Sequence, residues 1–340
     1  MNISSPKKSQ TRFSRRTLLP LCAALVLGSA NQAVTAADAQ WPTQKPVTLV
    51  VGYPPAGGAD TVARIVAERL GTKYNQRFIV ENRPGAGGTI AANFVAKAPA
   101  DGYTLLASAS TEITVVPTVR RSLPYNPTRD FEPIAVTSQT TYLLVASPGF
   151  PANNLRELVT YAKANPGKVS YASYGQNSFT HLTGELMQLL TGTELLHVPY
   201  KGSAELIPAL IGNQINLSFN SPAEVLPQIQ AGRIKALAVT APNRIKANPA
   251  IPTTAEQNYP DLIARGWNGL LAPKGTPAAI LDELNTSINE IMRSPEIIQD
   301  FQTKGIEPGG GTREAVRTRI QDELKRWSHV VEKVGLQVTD

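Results

Sequence analysis

Cysteine is almost absent from this sequence of 340 residues, in which Cys22 is the only one. It lies in a segment that we expect to be cleaved off, so the mature chain has no disulfide, no catalytic thiol and no thiolate metal ligand. Histidine is also scarce, and His181, His197 and His329 are far apart and form no H-E-x-x-H motif. The sequence therefore predicts no metal site.

Several common motifs are missing as well. There is no G-x-S-x-G nucleophile turn, no glycine-rich stretch followed by Lys-Ser or Lys-Thr, and no G-x-G-x-x-G spacing. Acidic residues are scattered along predicted helices, and no pair of them suggests a general acid and base. We therefore predict no cofactor and no catalytic residue, and we expect that the protein is not an enzyme.

Excess charge is confined to the N-terminus. The net charge is +7, and the first 36 residues hold five basic residues and no acidic one. The rest of the chain is nearly neutral, so it lacks the basic surface that nucleic acids require, and we predict no nucleic-acid partner.

The N-terminal segment has the layout of a secretory signal peptide. A basic stretch precedes the apolar run Leu18–Gly28, and Val34 and Ala36 provide small residues at the −3 and −1 positions of a cleavage site. The apolar run is short for a membrane span, and Pro20 interrupts it. We predict a signal peptide over residues 1–36, cleaved near Ala36. The pair Arg15-Arg16 leaves the secretory and twin-arginine routes open.

The mature chain alternates strands, loops and helices. Apolar runs of strand length such as Val47–Val51 are followed by glycine-rich turns and then by helical periodicity. This alternation predicts an α/β fold with parallel sheets covered on both faces. The length suggests two domains. The pattern predicts a discontinuous first domain from residues 41–141 and 246–340, with residues 142–245 inserted as a second domain. The two would be joined by crossing strands with a cleft between them.

Three strand-to-helix connections are rich in hydrogen-bond donors. In parallel sheets, such loops meet at the carboxyl ends of the strands, where helix N-termini present free N–H groups that suit anions. They are residues 53–61, residues 173–181 and residues 200–203, and Asn220 ends a further strand in the same way. A simple turn capped by Asp60 remains an alternative reading of the first, and a solvated Lys201 remains one of the third.

An ordered set of motifs carries a family resemblance. It comprises V-T-L-V-V-G-Y-P-P-A-G-G-A-D-T at 47–61, E-N-R-P-G-A-G-G at 81–88, A-D-G-Y-T-L-L at 100–106, H-L-T-G-E-L at 181–186, H-V-P-Y-K-G-S at 197–203 and L-L-A-P at 270–273. On these residues the chain resembles the substrate-binding proteins of tripartite tricarboxylate transporters, also called Bug proteins.

The resemblance implies a periplasmic-binding-protein-like architecture, with two parallel-sheet domains, a hinge and an interdomain cleft. It implies a soluble periplasmic protein, simplest as a monomer, that captures a small carboxylate by hinge closure and delivers it to a membrane permease. The expected ligand-binding residues are Tyr53, Ala56, Gly57, Gly58, Asp60, Ser173, Tyr174, Asn177, Ser178, Thr180, His181 and Asn220. The second loop departs from the family, whose members carry small residues where this chain has Tyr174, Gln176, Asn177 and Phe179.

Two other functions stay open from sequence. A co-receptor that presents its ligand to a membrane sensor would share the same fold and pocket. An exported hydrolase would need a nucleophile beside a base, for which Ser178 and His181 are the only local candidates, with no identifiable orienting acid.

Overall fold

The computed structural model describes residues 1–5, 41–304 and 306–336. The predicted signal peptide and its cleavage site fall almost entirely on residues 6–40, outside the described residues. The strands are β1 (Val47–Val51), β2 (Phe78–Asn82), β3 (Thr104–Ala109), β4 (Phe131–Thr141), β5 (Leu143–Ala146), β6 (Val169–Ser173), β7 (Leu195–Pro199), β8 (Leu217–Asn220), β9 (Lys235–Val239), β10 (Arg265–Pro273) and β11 (Glu307–Gly310). The α-helices are α1 (Gly58–Tyr74), α2 (Thr89–Ala96), α3 (Val116–Val119), α4 (Leu155–Ala164), α5 (Phe179–Thr191), α6 (Ser203–Ile211), α7 (Pro222–Gln230), α8 (Ala278–Arg293), α9 (Pro295–Thr303) and α10 (Arg313–Lys333).

The first sheet has six strands in the order β11-β4-β10-β3-β1-β2. β1 pairs in parallel with β2 and β3, so the carboxyl ends of these three strands share one edge. Apolar residues cover both faces. Leu49 and Val51 pack with α1 and α8 on one side, whereas Val50 and Leu106 pack with α2 and α10 on the other. This two-sided burial explains why β1 is a continuous apolar run in the sequence.

The second sheet has five strands in the order β7-β6-β8-β5-β9. β6 pairs in parallel with β7 and β8, so these strands also end at one edge. Leu182 and Leu186 of α5 are buried against one face, and Leu206 and Leu210 of α6 are buried against the other. Their spacing of four residues is the helical period that marks these helices in the sequence.

Both sheets are mixed, which corrects the prediction of two wholly parallel sheets. β10 is antiparallel to β3 and β4, and β5 is antiparallel to β8 and β9. The cause is the crossing between the sheets. β4 runs directly into β5 through Tyr142 and so carries the chain from the first sheet into the second, where β5 lies between β8 and β9 in the opposite direction. The predicted α/β architecture with two sheets and crossing strands is confirmed.

Helix α10 packs against both sheets. Val316 and Ile320 belong to the core on one face of the first sheet, whereas Trp327 and Val330 are buried in the core of the second. The end of the chain therefore stabilises both halves, although the sequence assigns it to the first domain alone. The domain boundaries and the hinge stay predictions. No helix within the described ranges is long and apolar enough to cross a membrane.

Candidate ligand-binding site

The first loop (residues 53–61) connects β1 to α1 and leaves the helix N-terminus open. Gly57 is the N-cap residue and provides no side chain to cap the first N–H groups. A Cβ placed on Gly58 would find no atom within 4 Å, so this position faces open space. The first N–H groups of an α-helix have no partner inside the helix. This end of α1 can therefore accept an anion by backbone hydrogen bonds.

Asp60 holds the first loop in shape from inside the protein. Its buried carboxylate accepts hydrogen bonds from the Ala56 N–H at 2.9 Å, from Arg64 Nε at 2.9 Å and from Asn82 Nδ2 at 2.8 Å. The Arg64 hydrogen bond is the main reason that the pKa of Asp60 falls to about 2. Asn82 also donates to the Tyr53 carbonyl at 3.0 Å. Because each carboxylate oxygen already has a protein partner, Asp60 supports the loop. It lies in the first turn of α1 and does not cap the helix, whose N-cap is Gly57, so the reading of a turn capped by Asp60 is wrong.

The second loop (residues 173–181) connects β6 to α5 and is tied by its own side chains. Ser178 is the N-cap residue, and its hydroxyl accepts from the His181 N–H at 3.2 Å. The Thr180 hydroxyl accepts from the Tyr174 N–H at 2.9 Å. Asn177 adopts a left-handed conformation (φ 59°), and its side-chain Oδ1 is buried without a hydrogen-bond partner. A water or a ligand hydroxyl can donate to this atom.

Two stacked imidazoles support the second loop. The rings of His181 and His197 are stacked with their centroids 3.8 Å apart. His181 Nδ1 accepts from the Asn177 N–H at 3.0 Å, and His197 Nε2 lies 2.7 Å from the Ser173 hydroxyl. Burial, followed by the neighbouring His181, lowers the pKa of His197 to about 4. His197 is thus half-buried and hydrogen-bonded within the protein, whereas His329 is exposed.

Tyr174 and Asn220 join a polar cluster at the end of β8. The Tyr174 hydroxyl donates to Glu224 Oε2 at 2.7 Å and accepts from Asn220 Nδ2 at 2.8 Å. Glu224 also accepts from the Ser221 N–H at 2.9 Å, so Ser221 and Glu224 cap α7. The N-terminus of α7 is therefore satisfied internally, unlike that of α1.

Tyr142 links the two strand-end edges at the crossing between β4 and β5. A Cβ on Gly266 would lie 3.8 Å from the Tyr142 hydroxyl and 4.0 Å from the hydroxyl of Ser110, which follows β3. The Tyr142 ring packs on Phe179 at the start of α5, with centroids 5.1 Å apart. Burial and the nearby Glu224 raise the pKa of its phenol. The carboxyl ends of both sheets therefore approach this one side chain.

The predicted site residues fall into two groups. Tyr53, Ala56, Gly57, Gly58 and Asp60 lie at the strand-end edge of the first sheet, and Ser173, Tyr174, Asn177, Ser178, Thr180, His181 and Asn220 lie at that of the second. Direct contact of each with a ligand stays a prediction.

Sequence reasoning missed four residues that organise the two groups, namely Asn82, Glu112, Tyr142 and Glu224. One signal was available: Glu112 is the only acid in the largely apolar segment that follows β3.

Two sheets of an α/β fold, joined by crossing strands and carrying donor-rich loops at adjoining strand ends, define a solute-binding protein. The sequence family described as the tripartite tricarboxylate transporter family receptor, TctC, matches residues 62–336. The chain belongs to this family, so the resemblance recognised in the sequence is confirmed.

Individual relatives agree with this assignment. The chain is 36% identical to Protein BugT of Bordetella pertussis over 295 residues, which are 86% of this chain and 90% of BugT. The structure of R. palustris Rpa4515 with adipate is similar with a TM-score of 0.74 at 35% identity, over 87% of this chain and 98% of the other. The structure of MatC from Rhodopseudomonas palustris with bound malate has a TM-score of 0.70 at 28% identity, over 85% of this chain and 99% of the other.

Proposed function

We propose that the protein captures a small carboxylate between the first and second loops and delivers it to the permease of a tripartite transporter. The observation that carries this proposal is the uncapped N-terminus of α1, where Gly57 and Gly58 leave N–H groups open beside free space. Related proteins hold dicarboxylates, namely adipate and malate. TctC proteins are binding proteins of the periplasm, and we infer the same location for this chain after cleavage near Ala36.

The ligand would be held largely by uncharged donors. The first loop offers backbone N–H groups at Gly57 and Gly58, and the second offers the Ser178 hydroxyl and the N–H groups at the start of α5. Closure about the crossing segments near Tyr142 and Thr240 would exclude water, which strengthens each hydrogen bond to the anion. A ligand that contacts both halves favours the closed state by its differential affinity for that state.

A thermal-shift titration of residues 37–340 with adipate and malate tests this proposal, with the diamide of adipate as a neutral control of similar shape. A ligand at about 100 times its dissociation constant stabilises the folded state by about 2.7 kcal/mol. We expect a saturable rise in Tm with a dicarboxylate and none with the diamide. Equal shifts with both would show that the site does not recognise the carboxylate charge. No shift with any acid would contradict the proposal.

A further inference from the structure

Glu112 is a fully buried acid beneath the candidate site, with an exposed fraction of 0%. It lies in the π-helical turn Thr111–Val115, directly after β3. The buried glutamates Glu132 on β4 and Glu323 on α10 have cationic partners, since Glu132 pairs with Arg317 and Glu323 pairs with Arg319. Among the described residues, no Lys, Arg or His forms an ion pair with Glu112.

The Glu112 carboxylate joins both glycine-rich turns of the first sheet. Its Oε2 accepts from the Tyr53 hydroxyl at 2.8 Å, and its Oε1 accepts from the Ala109 N–H at 2.7 Å. A Cβ placed on Gly88 would lie only 2.8 Å from the Glu112 Cδ, so the turn before α2 needs glycine to pass over this carboxyl. Tyr53 is the first residue of the first loop, so Glu112 is hydrogen-bonded directly to that loop.

The groups around Glu112 supply donors but no compensating charge. Tyr53 faces it from the first loop, Ser108 from β3, and the Tyr125 hydroxyl donates to its backbone carbonyl at 2.5 Å. Charges near the neighbouring helices act on other groups: Arg120, which follows α3, acts on Tyr125. On α10, Glu323 accepts from Thr114 and from Trp267, and Arg319 pairs with Glu323.

Burial without a cation disfavours the ionised carboxylate. Burial raises the pKa of Glu112 to about 7, although the hydrogen bond from Tyr53 opposes this change. At neutral pH the group is therefore divided between its charged and neutral forms. A small change in nearby charge is enough to shift this balance.

We propose that Glu112 is a positioning residue that takes up a proton when an anion occupies the first loop, so that carboxylate capture and proton uptake are linked. The inference rests on the proposed function. An anion at the N-terminus of α1 carries the same charge as ionised Glu112, and both contact the first loop, Glu112 through its hydrogen bond from Tyr53. Repulsion between the two negative charges favours the protonated acid in the bound state. The protonated acid still lies against the Tyr53 hydroxyl, so the loop keeps its anchor.

The linkage gives affinity a definite dependence on pH. Because the bound state holds more protons, affinity is greatest below the free pKa near 7 and falls as the pH rises through it. For each unit by which the ligand raises this pKa, affinity falls about tenfold between the two limits. Adipate is ionised at both ends from pH 7 to pH 9, where the fall in affinity is expected, since carboxyl groups titrate well below this range. The ligand therefore does not cause this change.

Calorimetry with adipate from pH 6 to pH 9, in buffers of different ionisation enthalpy, tests the proposal. The wild type should bind with net proton uptake and lose about tenfold in affinity as the pH rises. Glu112→Gln should keep the low-pH affinity at every pH without proton uptake. Tyr53→Phe should move the transition to higher pH, because its hydrogen bond lowers the pKa of Glu112. Glu132→Gln, a buried glutamate with cationic partners, should keep the wild-type profile.

Two results would overturn the linkage: pH-independent binding by the wild type, or an unchanged profile in Glu112→Gln. Absence of binding by both adipate and malate at every pH would instead overturn the proposed function, and the linkage with it.

The stability of the ligand-free protein provides an independent test of the titration of Glu112. A raised folded pKa means that stability falls as the pH rises from about 4.5 to 7. The Tm of Glu112→Gln, measured relative to that of the wild type, should therefore increase as the pH rises from about 4.5 to 7. A Tm difference that does not change with pH would contradict the titration of Glu112.

Discussion

Gly58→Asp is expected to abolish carboxylate binding and leave the fold intact. The new side chain points into open space, since no atom lies within 4 Å of a Cβ at this position. An acid in the first turn of a helix also stabilises it. The same carboxylate would occupy the N-terminus of α1 that we propose for the ligand. Two like charges about 4 Å apart repel by about 4 kcal/mol at an effective dielectric constant of 20, which is about a thousandfold in affinity.

Ala278→Asp provides the matched control for this charge change. Ala278 is exposed and is also the first residue of a helix, α8, which follows β10 and not β1. Calorimetry with adipate or malate should show wild-type affinity for this control, with a Tm at least equal to that of the wild type in both variants. If Gly58→Asp binds as tightly as the wild type, the N-terminus of α1 is not the anion site.

Gly184→Ala should severely destabilise the protein. A Cβ at this position in α5 would lie 2.1 Å from Cε2 of Tyr171. The Tyr171 ring has no room to move, because it is fully buried and its hydroxyl donates to Glu185 at 2.5 Å. Overpacking of a core costs about 1–3 kcal/mol and occasionally more. We expect the upper end of this range, or a Tm lower by about 6–12 °C.

Gly58→Ala is the control, because it adds the same methyl group to a helical glycine that faces open space. It removes backbone freedom from the unfolded chain, so its Tm should equal or exceed that of the wild type. Thermal denaturation of the ligand-free proteins compares the two variants. A Gly184→Ala protein as stable as wild type would mean that α5 does not pack this closely on β6.

The sequence predicts the helices well because their signals are local. The helical periodicity that follows the first glycine-rich turn coincides with α1 (Gly58–Tyr74). Proline at a helix start and leucines spaced by four residues are both visible within a short window.

Strand pairing is less visible because it depends on distant residues. The direction of β5 follows from the crossing at Tyr142, and β10 finds its partners β3 and β4 more than a hundred residues earlier in the chain. The alternation of strands and helices alone favours parallel pairing, whereas β5, β10 and β11 run antiparallel to strands that lie far away in the sequence.

In the candidate site, too, local features are visible in the sequence and contacts between distant residues are not. Glycines and hydroxyls in the first and second loops are visible in the sequence as donor-rich turns. Asn82, Glu112 and Glu224 support those turns from other strands and helices, and a single sequence does not show which loop they contact. Folding brings the Glu112 carboxyl to the Tyr53 hydroxyl, and its burial, with no cationic partner among the described residues, raises its pKa. Neither the contact nor the burial is visible in the sequence.

Backbone amide NMR of the protein with and without adipate shows whether the carboxylate contacts both loops, because it reports the N–H groups of both loops at once. We expect that the amides of Gly57 and Gly58 and those of Ser178 and Phe179 shift together, at the same ligand concentration. The Ala278 amide at the start of α8 should not move. Shifts confined to one loop, or to neither, would contradict capture of the carboxylate between the two sheets.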